Sequence, residues 1–184
     1  MTVPLMTNTQ ASANLTKELT PTRSLLFYTL TATIPIVAIT LVLLFMSGMS
    51  RKNLALLSVL GAITGLVGLG RLLYEMTLDI AGFPDYKLPI WSVFFLIVYL
   101  VSGFSFLFFG YHMAVPGKYF SGFSEGAKEG FLDSVYLSLC NYIGASPFGT
   151  ISVKSQGMRF ATVIQGVVSL FINVVIITKF VNSF

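Results

Sequence analysis

Four apolar runs, at about 24–47, 54–78, 88–113 and 158–181, dominate this chain. Each exceeds the about 20 residues that a helix needs to cross the hydrocarbon core of a bilayer. Charges are scarce: 10% of the 184 residues are Asp, Glu, Lys or Arg, against 55% hydrophobic, with a mean hydropathy of +0.84. A soluble domain carries about 25% charged residues. The expectation is therefore an all-α, polytopic integral membrane protein with four transmembrane helices, with no polar block long enough for a separate soluble domain. Seventeen Phe and eight Tyr suit lipid contact and interface belts.

The formal net charge is +4. It is too small and too scattered for a nucleic-acid partner but suits anionic lipid headgroups. The single cysteine, Cys140, excludes an internal disulfide and a cysteine cluster for zinc or iron–sulfur. Residues 1–23 are polar, contain Pro4 and Pro21, and read as a flexible tail rather than a signal peptide. Asn14-Leu15-Thr16 fits a glycosylation acceptor, a motif short enough for chance to explain it.

The first span holds Pro35, where a kink is expected. Thr29, Thr31, Thr33 and Thr40 are placed to bond back to helix carbonyls around it. In the second span, Gly61, Gly65, Gly68, Glu75 and Asp79 share one face at helical spacing. Glycines on such a face let another helix backbone approach closely. Arg71 stands four residues before Glu75. Arg71, Glu75 and Asp79 have two readings, an intrahelical ion pair with an interfacial Asp or ion and proton handling. A loop with Gly82, Pro84, Asp85 and Lys87 leads to Pro89 and the third span, where Trp91, Tyr111 and His112 read as interface anchors.

Residues 131–160, "FLDSVYLSLCNYIGASPFGTISVKSQGMRF", break the pattern. Gly130 ends the preceding chain, Asp133 or Ser134 is placed to cap a helix, and Val135 to Tyr142 gives two to three turns. Gly144, Ser146, Pro147 and Gly149 then stop it. The segment is too short to cross. It is either a re-entrant half-helix or an external amphipathic loop.

An apolar outer helix, a polar connection, a short capped helix, a loop and a long helix starting near an Arg occur in that order here. This order resembles the pore-loop cation channels. "FLDSVYLSL" is similar to the start of a potassium-channel pore helix, and "RFATVIQGVVSLFINVVIITKFV" to the inner helix, with Gly166 at the place of a flexible glycine. The resemblance covers roughly residues 88–181 and implies three parts: the tail 1–23, a two-helix hairpin 24–87 and a pore-like module 88–184. It also implies a multi-pass protein of the cell membrane, homo-oligomeric and tetrameric; no cofactor is expected, since the residues offer no nucleotide loop or metal motif. The filter candidates are Gly144, Ala145, Ser146, Pro147 and Gly149. They depart from the family's TVGYG, because Pro lacks an N–H and fixes φ where a ladder of carbonyls is needed. No Asp or Glu follows Ser134, and Lys154 and Arg159 near the mouth repel cations.

In the fourth span Thr162, Gln165, Gly166, Ser169 and Asn173 form one small or polar stripe. It lines a pore or makes hydrogen bonds between helices. A lone His112 and a Cys140 without a neighbouring base supply no catalytic or metal site, so no enzyme activity is expected. Two functions stay open. One is conduction through a homo-oligomeric pore with a non-TVGYG filter. The other is a non-conducting accessory subunit of a larger membrane complex, docking through the glycine face and the 131–157 hairpin. A transporter or enzyme subunit with a site at Glu75 and Asp79 is a third class. Lys and Arg predominate on the side of Arg51, Lys52, Lys118, Lys128, Lys154 and Arg159, which the positive-inside rule assigns to the cytoplasm. The channel resemblance implies the opposite orientation.

Overall fold

The computed structural model describes residues 29–45, 48–82, 90–147 and 151–181. The tail 1–23, the loop residues Pro84, Asp85 and Lys87, Pro89 and Gly149 lie outside the described residues. The molecule is mostly helical. The helices are α1 (Thr29–Phe45), α2 (Arg51–Gly82), α3 (Ile90–Ala114), α4 (Ala127–Ile143) and α5 (Gln156–Val181). Two short strands, β1 (Phe120–Ser121) and β2 (Ser152–Val153), pair antiparallel with Phe120 opposite Val153. Among the described residues three helical stretches are long and apolar enough to cross a membrane: Arg51–Thr77, Trp91–Ala114 and Gln156–Val174. The described part of the first expected span, Thr29–Phe45, is shorter.

Glycine sets the closest helix contact. A Cβ added at Gly65 would stand 2.8 Å from the Cα of Gly103, and one at Gly61 would stand 2.8 Å from the Phe106 ring. At Gly68 it would meet Ala32 of α1 at 3.2 Å. The glycine face expected to dock other subunits is thus filled by the chain's own α3 and α1. The pairings Ser58 with Gly110, Gly61 with Phe106 and Gly65 with Gly103 run in opposite directions, so α2 and α3 are antiparallel.

α1 continues as a helix through Pro35. Two of its threonines bond back as expected, Thr33 Oγ1 to Thr29 O at 2.7 Å and Thr40 Oγ1 to Ile36 O at 2.8 Å. Tyr99 of α3 ties it down by donating to Thr29 O at 2.5 Å, with Thr33 Oγ1 2.9 Å away.

An aromatic cluster closes the end where α3 meets α4. Phe106, Phe108 and Phe109 are fully buried. Phe131 of α4 lies against Phe106 and Phe109 with ring centroids 5.5 and 5.6 Å apart, and Phe120 stacks on Phe123 at 4.7 Å. Arg51 approaches Glu125 at 3.8 Å at this same end. Both are exposed, so the pair adds little stability, but it puts the start of α2 beside the α3–α4 connection.

The β1–β2 pairing brings the starts of α4 and α5 to one end of the molecule. α4 runs antiparallel to α3, with Phe131 near Phe106 and Ser138 near Val101. It runs parallel to α5, with Ser138 near Gln165 and Tyr142 near Asn173. At 1.5 Å per residue α4 extends about 25 Å from that end. The chain from Gly144 to Ser152 can retrace this distance at about 3.5 Å per residue.

Two expectations at this end need correction. α4 begins at Ala127, with Gly126 at its N-cap and no side-chain cap, so Gly130 does not end the preceding chain and neither Asp133 nor Ser134 is the cap. Gly130 lies inside the helix because the connection crosses there: a Cβ would stand 2.9 Å from Ser124 O. Asp133 Oδ2 instead accepts the Ser124 N–H at 2.7 Å, fastening the connection to α4, and Ser134 donates to Phe131 O. His112 is not an interface anchor. It is 2% exposed, its ring 5.1 Å from that of Phe123 and its Nε2 3.0 Å from Ser124 O.

Candidate functional site

Ser138, Asn141 and Tyr142 stand on the side of α4 that faces α5, because spacings of three and four residues share one helix face. Ser138 is fully buried and joins three helices. Its Oγ donates to Val101 O of α3 at 2.9 Å and accepts from Gln165 Nε2 of α5 at 2.6 Å. Gln165 Nε2 also reaches Ser138 O at 3.0 Å, and Gln165 Oε1 accepts from Asn141 Nδ2 at 3.2 Å. Gln165, itself fully buried, is therefore held by α4 at both ends of its carboxamide.

The polar stripe of α5 divides around this node. Ser169 is buried and donates to Gln165 O at 2.8 Å. Asn173 Oδ1 accepts from the Tyr142 hydroxyl at 3.1 Å. Thr162 is half-buried and donates to Arg159 O at 2.7 Å. Gly166 is half-buried, with nothing within 4 Å of the place a Cβ would take. Gln165, Ser169 and Asn173 thus engage α4 or their own helix, while Gly166 borders open space. The rest of the outward face of α5 is apolar, with Val163, Val167 and Leu170 each 60% exposed or more.

α4 ends in a Schellman turn. Gly144 adopts φ 70° and ψ 20°, its N–H bonding Asn141 O, and Ala145 N–H bonds Cys140 O at 2.9 Å. Only glycine takes this left-handed conformation without strain. Of the filter candidates, Gly144 and Ser146 are exposed and Ala145 and Pro147 half-buried. Gly149 lies outside the described residues. Val101, which Ser138 contacts, sits midway along α3, and α4 runs about 9 Å further to Gly144, so the turn at Gly144–Pro147 lies past the middle of the bundle, near the level of Asn173. At the mouth, Lys154 Nζ donates to Gly117 O at 3.3 Å and Arg159 Nε to Val153 O at 3.1 Å, so both cations cap backbone carbonyls of the connections.

The charged residues of α2 form a separate place. Arg71 contacts Glu75 Oε1 through Nε at 3.0 Å and through a terminal nitrogen at 2.9 Å. They open on a groove between α1, α2 and α3 with a cavity volume of about 380 Å³. Asp79 is in α2, its side chain outside the described part. No group of three or more His, Cys, Asp or Glu that could hold a metal occurs among the described residues.

Ser138, Asn141 and Tyr142 were not singled out from the sequence, although their spacing in a short polar-faced helix was a signal. Ser121 and Ser152, whose hydroxyls lie 2.6 Å apart across the small sheet, carried no such signal. Comparison with family models, with curated proteins and with solved structures gives no match.

Proposed function

We propose that this chain is a channel-like membrane protein in which α4 enters the bilayer from the same side as α5 begins and turns back before crossing it. Several copies, four by analogy with the pore-loop channels, would surround a central pathway bordered by residues 144–149. The observation that carries this reading is the depth of an exposed turn. Ser138 bonds to Val101, mid-way along α3, and the chain leaves the helix six residues or about 9 Å later, still inside a hydrocarbon half-thickness of about 15 Å. Non-helical backbone at that depth is unstable against lipid and needs either water or protein around it. Gly144 and Ser146 are exposed among the described residues, which leaves them open to water or to a neighbouring copy. The C-terminal end of α4 also directs its partial negative charge to that depth, which favours a cation there.

A second reading is an accessory subunit whose turn is covered by an unlike partner. It is favoured by Pro147 in the turn and by the use of Gln165, Ser169 and Asn173 within the chain.

The test is Ser146→Cys in a Cys140→Ala background, purified alone and reconstituted in liposomes. The channel reading expects a symmetric ring by imaging, cation flux, and block of that flux by a water-soluble thiol reagent. A single copy with no flux and an unreactive Cys at 146 would overturn it in favour of the accessory subunit.

A further inference from the structure

One buried titratable side chain has no part in the turn at Gly144. His112, in the last turn of α3, is closed off by the α3–α4 connection and by α4. The connection places Ser124 O 3.0 Å from His112 Nε2, and the Phe123 ring 5.1 Å from the imidazole. On α4, a Cβ at Gly130 would stand 3.4 Å from His112 Cδ2, so the edge of the ring lies against that helix. Ser124 in turn donates its N–H to Asp133 Oδ2 at 2.7 Å. The backbone of Ser124 is thus gripped from α3 by His112 and from α4 by Asp133.

A carbonyl oxygen only accepts, so Nε2 carries a proton. In the neutral ring Nδ1 is then a bare lone pair. It is buried and has no hydrogen-bond partner among the described residues. A proton added there would make Nδ1 a buried donor without an acceptor and would charge the ring, both unfavourable away from water. Histidine changes charge between about pH 5 and 8.

The surrounding charges are engaged elsewhere. Glu125 pairs with Arg51, the Glu129 carboxylate lies over Gly126, and Asp133 holds the Ser124 amide. Lys52 and Lys128 are exposed, and Lys118 lies over the Tyr119 ring. Lys154 and Arg159 bond backbone carbonyls, and Tyr111 packs on Tyr119. The C-terminal end of α3 favours a cation, but that attraction is smaller than the penalty for a buried, unpaired charge.

We propose that His112 is a pH-sensitive latch on the α3–α4 connection. As the neutral ring it holds the connection against α3 and α4. Protonated on both nitrogens it moves out to water, and Ser124 O loses its donor. Release takes up a proton, so falling pH drives it. The freed segment carries Phe120 to β2 and Glu125 to Arg51, so its release loosens the side from which α4 starts. The proposal is independent of whether the protein conducts.

His112 is the single histidine of the chain, so its ring can be observed alone. The experiment follows the ring-nitrogen resonances of the histidine-labelled full chain in nanodiscs, and hydrogen exchange in the same preparation, from about pH 8 to about pH 5. After correction for the intrinsic exchange rate, protection of residues 120–126 should fall about tenfold at the pH where the ring gains its second proton. Residues 95–108 of α3 should keep theirs. His112→Gln keeps a donor for Ser124 O without titrating and should stay protected throughout. Asp133→Asn keeps an acceptor for the Ser124 amide and should still show the wild-type step. A ring that stays neutral throughout, protection unchanged while the ring protonates, or a step that survives in His112→Gln would overturn the latch. Loss of the step in Asp133→Asn would assign it to the carboxylate and overturn the latch equally. If His112→Gln fails to fold, the coincidence of ring protonation and release in the wild type decides.

Discussion

Gln165 has no exposed surface, and three hydrogen bonds hold its carboxamide to α4. Hydrogen bonds between membrane helices contribute on average only about 0.6 kcal/mol, and up to about 1.7. Here replacement also strands Asn141 Nδ2 and removes a partner of Ser138. Gln165→Leu should therefore cost about 1–2 kcal/mol, read as a lowered thermal midpoint in detergent, whereas Thr162→Val should change it by under about 0.5 kcal/mol. Equal effects of the two would show that the node does not hold α4 to α5. Glycines allow a sharper comparison. At Gly65 a methyl group would stand 2.8 Å from backbone that cannot rotate away, while at Gly70 it would meet nothing within 4 Å. Gly65→Ala should destabilise by about 1–3 kcal/mol through overpacking. Gly70→Ala should be neutral or stabilising by up to about 1 kcal/mol, because alanine favours the helix. A destabilised Gly70→Ala with an unaffected Gly65→Ala would mean that α2 does not pack on α3 through this face.

The short helix α4 shows which parts of an element the sequence discloses. Its end was legible: a glycine after an apolar run, followed by Ser and Pro, is what a Schellman turn needs, and Gly144 adopts the required positive φ. Gly144→Ala forces a side chain into the left-handed region, which costs about 1–2 kcal/mol. The expected outcome is a lower melting midpoint, and faster hydrogen exchange in residues 140–143 while residues 127–135 stay protected. Uniform loss of protection along α4 would instead mean that the turn organises the whole helix. The start of α4 was not legible. Asp133 has the chemistry of a cap, but its partner is Ser124, nine residues earlier and across a loop, so local spacing could not identify its role. Gly130 looked like a break because glycine weakens isolated helices. The crossing of the chain at Ser124 leaves no room for any other residue there. Asp133→Ala should consequently leave α4 helical by circular dichroism and free the amide of Ser124 to exchange. The glycine face of α2 was visible as a contact surface, but nothing local told an outside partner from α3. That required Gly103, one of two glycines in an aromatic helix.

At the scale of the whole molecule, the small sheet is the feature with the widest consequence. Two residue pairs, Phe120 with Val153 and Ser121 with Ser152, oblige everything between them to leave and return at one end. The sequence carried no trace of this pairing, because two-residue strands have no periodicity to read. Lys154 reinforces it by bonding to Gly117 O, and its own N–H to Tyr119 O at 2.8 Å. If α4 were a full crossing, residues 118 and 154 would face opposite sides of the membrane. If it turns back, they face the same side, together with Lys52 at the start of α2. That difference can be read without knowing what the protein does. Single cysteines at Lys52, Lys118 and Lys154 in a Cys140→Ala background should react with an impermeant thiol reagent from one side of sealed vesicles only, and from the same side for all three. Labelling of Lys118→Cys and Lys154→Cys from opposite sides would eliminate the half-crossing, and with it the pore reading. The direction of the shared side is a second outcome of the same measurement. Among the described residues this end carries Arg51, Lys52, Lys118, Lys128, Lys154 and Arg159 against Glu125, Glu129 and Asp133. An excess of basic residues favours the cytoplasm, while the frame of a pore-loop channel opens its turn to the outside. Four of the six cations are held: Arg51 by Glu125, Lys154 and Arg159 by backbone carbonyls, and Lys118 over the Tyr119 ring at 5.4 Å. The positive-inside rule counts residues whether or not they are paired, so cytoplasmic labelling is expected. External labelling would show that the pairing of these cations, formed before insertion is complete, had removed them from the count.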